Sequence, residues 1–399
     1  MGGFAAAKDA KANTYETNLT GDWGGARTGL SDSGIDIEAV YKADVFSNLD
    51  GGIKTGTRAL DNLDVIFGFD GEKIIGAQGL TASLHLLNNN GRAVDGELVG
   101  SAQGIDNIEV PRATSKLFQA WVQQNLFEDR LSILAGLYAA DSEFYITDAS
   151  GLFLHSTYGV GTDLAQSGAN GPAIFPFSAL AVRILMKPTE FTYIQTALID
   201  GVAGDPNNPT GTQVELNDND GILSITELGY TPNEQTKLAI GGWFYSEKFD
   251  DQLDVDAFGN PEKRKSNGFY VLGQVPLYSQ GDGKGLVGFA RFGFANDDVN
   301  QFDYAWSTGV VYTGLIPSRD EGQLGLGVAG AHNSSKYKQA QVAAGTPADS
   351  EEIALELTYS DNLTPWLTVQ PSVQYISNPG TNPELDNAVL AGVRFTVNF

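Results

Sequence analysis

From Asn387 to Phe399 the chain alternates strictly. Val389, Ala391, Val393, Phe395, Val397 and Phe399 share one face; Leu390, Gly392, Arg394, Thr396 and Asn398 share the other. Successive side chains of a β-strand point to opposite sides, so this stretch reads as a strand with one apolar face and one small or polar face. Arg394, in its interior, must face water or a partner. The pattern recurs upstream. Leu367, Val369, Pro371, Val373 and Tyr375 alternate with Thr368, Gln370, Ser372 and Gln374, and Ile353, Leu355, Leu357 and Tyr359 with Ala354, Glu356 and Thr358. Leu180, Val182, Ile184 and Met186 oppose Ala181, Arg183 and Lys187. Carried along the chain, the pattern predicts strands near 35–48, 60–70, 79–88, 114–126, 131–140, 178–187, 191–200, 221–230, 237–248, 268–277, 285–295, 302–312, 323–332, 352–360, 366–376 and 387–399. That is about 16 strands, each near the ~10 residues that cross a bilayer obliquely. An even count puts both chain ends of an up-and-down barrel on one side.

The connections test this independently. They alternate between short ones, such as 127–130, 188–190, 231–236 and 361–365, and long ones, such as 88–113, 139–177, 201–220, 249–267 and 333–351. Bacterial barrels have short periplasmic turns and long external loops. A soluble all-β protein has no reason to sort its loops by parity. The short connection 295–301 is the exception, falling on the long-loop side. The predicted fold is therefore all-β: a transmembrane antiparallel up-and-down barrel over 35–399, preceded by a periplasmic segment at 1–34. Within that segment Asp22, followed by WGGARTGLSDSG, predicts a short capped helix ending at Gly34.

Composition is consistent with this. No stretch approaches the ~20 uninterrupted apolar residues of a spanning helix, and a mean hydropathy of −0.16 suits strands in which only alternate residues meet lipid. Residues 1–20 contain no signal-peptide apolar core, which reads as a signal already removed. The absence of cysteine excludes thiolate metal sites and cysteine catalysis. A net charge of −25 argues against nucleic acid as a partner.

Several strings carry a family resemblance. LTGDWGGARTGLSDSGI followed by DVFSNLDGG, the central GLFLHSTYG with DLAQSG, NGPAIFPFSALAVR and DGVAGDPNNP, and the tail LTPWLTVQPSVQYISNPG with AVLAGVRFTVNF span residue 19 to the end. In that order they resemble the carbohydrate-selective porins of Gram-negative outer membranes, the OprB-like family. The resemblance implies passive diffusion of sugars, of the glucose-type monosaccharide class, and other small hydrophilic solutes. It also implies a multi-pass barrel in the outer membrane, with the lipid bilayer and lipopolysaccharide as surroundings and no cofactor. Barrels of this size occur as monomers or trimers, and the sequence does not decide between them.

In about 16-stranded barrels the lumen is wide enough for a water channel unless something folds in. The connection 139–177 contains Phe144-Tyr145-Ile146, Leu152-Phe153-Leu154 and Pro172 to Phe177, apolar stretches unsuited to free solution. It is expected to pack inside the wall as a constriction loop. Sugars present hydroxyls and weakly apolar C–H faces, so a selective site needs aromatic surfaces beside hydrogen-bonding groups, and arginine supplies five fixed donors. By parity the lumen-facing candidates are Gln119, Trp121 and Gln123, then Arg183 and Lys187, Glu227, Trp243 and Tyr245, Arg291, Asp303, Glu356 and Arg394. Arg183 and Arg291 are the foremost of these, with Trp121 and Trp243 as stacking surfaces. Within the loop, His155, Asp163 and Gln166 are further candidates.

Other chemistries are poorly served. His85, His155 and His332 lack metal-ligand spacing. The acidic segments 205–220 and 249–256 do not match a calcium loop, and GDGKG at 281–285 does not match a phosphate loop. No serine–histidine constellation suggests a barrel enzyme, so no catalysis is expected. A cation-preferring or general diffusion pore stays open as the alternative, because of the acidity.

Overall fold

The computed structural model describes residues 14–399 except 206–207, 209, 213, 215–219 and 282. Residues 1–13 of the predicted N-terminal segment and most of the acidic stretch 205–220 therefore lie outside the described residues. Sixteen strands follow one another: β1 (Ile35–Gly52), β2 (Gly56–Asp70), β3 (Leu80–Gly91), β4 (Thr114–Leu126), β5 (Leu131–Tyr138), β6 (Ala179–Thr189), β7 (Thr192–Asp200), β8 (Ile222–Asn233), β9 (Thr236–Val255), β10 (Pro261–Gly281), β11 (Lys284–Ala295), β12 (Phe302–Thr313), β13 (Gln323–Asn333), β14 (Glu351–Thr364), β15 (Leu367–Ser377) and β16 (Asp386–Asn398).

Each strand pairs with its sequence neighbour, and β1 closes on β16 to complete the barrel. The seam runs antiparallel from Val40 opposite Asn398 to Gly52 opposite Asp386. Closure is what hydrocarbon demands, since an open edge would leave a row of unpaired backbone N–H and C=O groups with no water to satisfy them. All sixteen predicted strands are present, with the predicted faces except at the start of β12, where a register shift between Phe302 and Tyr304 buries Phe302 and sets Asp303 beside His332, which stacks on Tyr304, rather than in the lumen. Val182, Ile184 and Met186 on β6 and Leu238, Ile240 and Phe244 on β9 are exposed outward, while Arg183, Trp243 and Tyr245 between them are buried.

Two connections are shorter than predicted. β1 and β2 continue to a turn at 53–55, and β9 and β10 each run seven residues past the apolar alternation, so the expected loop 249–267 is reduced to 256–260. Apolar alternation stops where the lipid stops, whereas backbone pairing does not. In this overhang Lys263 lies opposite Asp250 and forms an ion pair with it at 2.7 Å.

The helix predicted before β1 is present as α1 (Ala26–Asp32). Asp22 does not cap its first turn in the simple sense. Its carboxylate accepts from the backbone N–H and the hydroxyl of Thr28, at 2.8 and 2.9 Å. Arg27 projects from this helix to the barrel rim, donating to the carbonyls of Phe399 and Ile37 at 2.7 Å each. Asn18 donates to the same Phe399 carbonyl at 3.0 Å. The segment before the barrel thus fastens the end of β16.

Candidate permeation site

The inward faces of the strands do not enclose an empty cylinder. Two connections, 92–113 and 139–177, carry large buried apolar side chains, among them Leu98, Ile105, Phe144, Tyr145, Phe153 and Tyr158. Both contact the inner wall. Tyr145 stacks on Tyr270 of β10 with centroids 3.9 Å apart, and Phe153 and Tyr158 pack on Phe289 of β11. Gly293 of β11 permits the first contact, because a Cβ there would collide with the Tyr145 hydroxyl and the Asp163 carboxyl.

Charged wall residues hold the backbone of these segments by matching its polarity. Wall carboxylates receive N–H groups. Glu227 of β8 accepts from the Tyr145 amide at 3.0 Å and from the hydroxyls of Tyr193 and Tyr270 at 2.6 and 2.8 Å. Glu356 of β14 accepts from the amides of Leu154 and His155 at 3.0 and 2.9 Å. Glu352 accepts from the amides of Ala102 and Gln103 at 2.7 and 3.0 Å. Wall cations receive oxygens. Arg291 of β11 donates to the carbonyls of Tyr145, Thr157 and Gly159. Arg183 of β6 forms a two-pronged pair with Glu143 at 2.8 and 2.9 Å, the strong geometry for a guanidinium and a carboxylate. Arg394 of β16 clasps Asp44 of β1 and reaches Asp106 and Asn107 of the first segment at 3.0 and 2.8 Å.

The structure therefore brings together Arg183, Glu227, Arg291, Glu356 and Arg394 as contacts of the inward segments, each nearly or fully buried. Trp243 and Tyr245 are buried in the same apolar cluster as Tyr145 and Leu164, and Trp121 is half-buried at its edge. Gln119 reaches Ser142 at 3.4 Å, and Gln123 accepts from Arg183 at 2.8 Å. Within 139–177, His155 is buried and its ring nitrogen accepts from the Thr157 amide at 3.2 Å; burial pushes it down to about 3, so it is neutral. Asp163 is buried beside the Tyr145 hydroxyl at 2.9 Å, and burial pushes its carboxyl up to about 7 against that hydrogen bond and the Arg291 charge. Gln166 reaches across to the Ala102 carbonyl and so ties the two segments together. Asp303 pairs instead with His332 at 2.7 Å.

In the sequence, 92–113 stands out only as part of the long connection 88–113. Its Val94, Leu98, Val99, Ile105 and Ile108 are the same signal that singled out 139–177. Glu352 was also missed, lying next to the outward Ile353 at a strand end. Among the described residues no group of His, Asp and Glu is arranged to hold a metal ion.

The sequence profile described as carbohydrate-selective porin, OprB family, matches residues 54–399. The chain belongs to the OprB family of carbohydrate-selective porins. It is 26% identical over 419 residues to Porin B of Pseudomonas aeruginosa, covering 96% of this chain and 91% of that protein. It superposes on the high-pH structure of Pseudomonas putida OprB with a TM-score of 0.87 at 25% identity, covering 96% of this chain and 98% of that one. The outer-membrane channel DcaP of Acinetobacter baumannii shares the fold, with a TM-score of 0.59 at 8% identity and coverage of 92% and 97%. As an OprB-family barrel the protein is an outer-membrane channel: its apolar band meets the bilayer and small solutes are its permeants.

Proposed function

We propose that this porin passes glucose-type monosaccharides and other small hydrophilic solutes by passive diffusion, through the part of the lumen that segments 92–113 and 139–177 leave open. Segment 139–177 is the constriction. The observation that carries this reading is its attachment to the inner wall at Arg183, Glu227, Arg291 and Glu356, which come from four strands. A segment held at four points cannot drift out of the lumen as a free loop does. On this reading the buried arginines and glutamates set the width of the passage, while Gln119, Trp121 and Gln123 meet the solute. The segment before β1 and the short turns lie on the periplasmic side, and lipopolysaccharide surrounds the opposite rim.

The net charge of −25 favours a second reading, a cation-preferring or general pore. Liposome swelling with glucose, glycine and small ions separates the two. Faster glucose entry than glycine, despite its larger size, supports the sugar reading. Flux ordered by size and charge alone supports the second, and no flux of any solute excludes both.

A further inference from the structure

Most of the buried inner-wall charges described above are engaged by the inward segments. Lys42 of β1, Asp64 of β2 and His85 of β3 also project inward. Among the described residues, the hydrogen bonds of their charged and ring-nitrogen atoms run only to one another and to Asn62. Lys42 Nζ donates to Asp64 Oδ2 at 2.9 Å and to Asn62 Oδ1 at 3.2 Å. His85 Nε2 and Asp64 Oδ1 are 2.8 Å apart. Lys42 lies one inward step along β1 from Asp44, toward the rim where the chain ends. Asp44 is where Arg394 ties down Asp106, so the group starts where the anchorage of 92–113 stops. Its side chains are 19%, 6% and 5% exposed for Lys42, Asp64 and His85 respectively, so the ammonium is the member that reaches solvent.

We propose that Lys42, held upright by Asp64 and Asn62, is a solute-facing charge of the uncovered wall and that its ammonium donates to the hydroxyls of a passing neutral polyhydroxy solute. An ammonium has three donors, and two are engaged here. The third is available to a solute oxygen. The adjacent carboxylate, 6% exposed and held between Lys42 and His85, fixes the position of the ammonium. The pair is nearly neutral overall, which suits an uncharged solute better than either charge alone. This inference rests on the diffusion reading above, and its test separates the two.

Single-channel recording in a potassium chloride gradient near 0.1 M, where screening is modest, reads only folded, inserted channels. Lys42→Met should raise the cation-to-anion permeability ratio and Asp64→Asn should lower it, each by about threefold: a unit charge about 6 Å from an ion shifts each ion about twofold after screening at this salt, in opposite senses for cation and anion. Lys42→Arg should leave the ratio in place. In liposomes, the glucose-to-glycine flux ratio should fall in Lys42→Met and be restored in Lys42→Arg. Ratios that do not move, that move in the same direction for both charges, or a glucose-to-glycine ratio indifferent to Lys42 overturn the proposal. Absence of any conductance in the unaltered protein overturns the diffusion reading instead.

Discussion

Replacing Glu356 by glutamine keeps the side chain's shape and removes its charge. The carboxylate now receives two backbone amides from opposite oxygens, Leu154 at 3.0 Å and His155 at 2.9 Å, and the Ser372 hydroxyl at 2.9 Å. An amide has one oxygen, so one of the two backbone N–H groups would face the glutamine NH2, donor against donor. Glu356, Leu154 and His155 are all essentially buried, so water does not substitute. Losing a charge-assisted bond and stranding a buried donor costs about 2–3 kcal/mol, which makes unfastening of the segment around 152–158 about 30–150 times more frequent. The packing of Phe153 and Tyr158 on Phe289 remains, so the segment should flicker rather than leave. Single-channel traces should show more open-state noise and brief higher-conductance excursions, and the amides of Leu154 and His155 should exchange with deuterium correspondingly faster. Traces and exchange rates equal to those of the unaltered protein would refute the idea that wall carboxylates hold the constriction.

Three further outcomes are expected. Gly327→Ala would set a Cβ 2.8 Å from the Tyr158 ring; such overpacking costs about 1–3 kcal/mol and should lower the temperature at which the barrel loses its folded electrophoretic mobility. Burial holds Asp163 protonated up to about pH 7, well above the usual carboxylate range. The stability it contributes is present in acid and is lost as pH climbs from about 4 through about 7, so conductance noise should grow over that window and Asp163→Asn should flatten the rise. Lys336 of helix α2 (Ser335–Ala344) bonds Asp251, Asp254 and Asp298 at 2.6–2.7 Å, and those three carboxylates hold its ammonium far above the ordinary lysine range. Lys336→Ala should speed hydrogen exchange across α2 and leave the conductance unchanged; an unaltered exchange rate would show the helix docked by other means.

What could be read from the chain and what could not divide along one physical line. A period-two face is a local property, so the outward Val182, Ile184 and Met186 and the intervening Arg183 could be assigned without knowing any partner. The strand count followed, as did the inward course of 139–177, because apolar runs such as Leu152-Phe153-Leu154 have nowhere else to go. Parity says that a side chain points inward but not what waits there. Arg291 and Trp121 look equivalent in the sequence, yet one is buried under the carbonyls of Thr157 and Gly159 and the other is half-open. Pairings such as Arg394 with Asp106, or Glu352 with Ala102, join residues hundreds of positions apart, and nothing local encodes them. The uncovered trio of Lys42, Asp64 and His85 was invisible for the same reason. It stands out only once the partners of Arg183, Glu227, Arg291, Glu356 and Arg394 are known.

The overhang of β9 and β10 has a practical consequence. Residues 249–255 add roughly 20 Å of paired strand at about 3.3 Å per residue, and the mast so formed ends in the turn 256–260, where Asp256 accepts the backbone N–H groups of Phe258 and Asn260 at 2.8 and 2.9 Å and the Phe258 ring stands 90% exposed. An epitope or fluorophore grafted at that tip would ride clear of the lumen. It would let labelled channels be counted on intact cells without altering what flows through them.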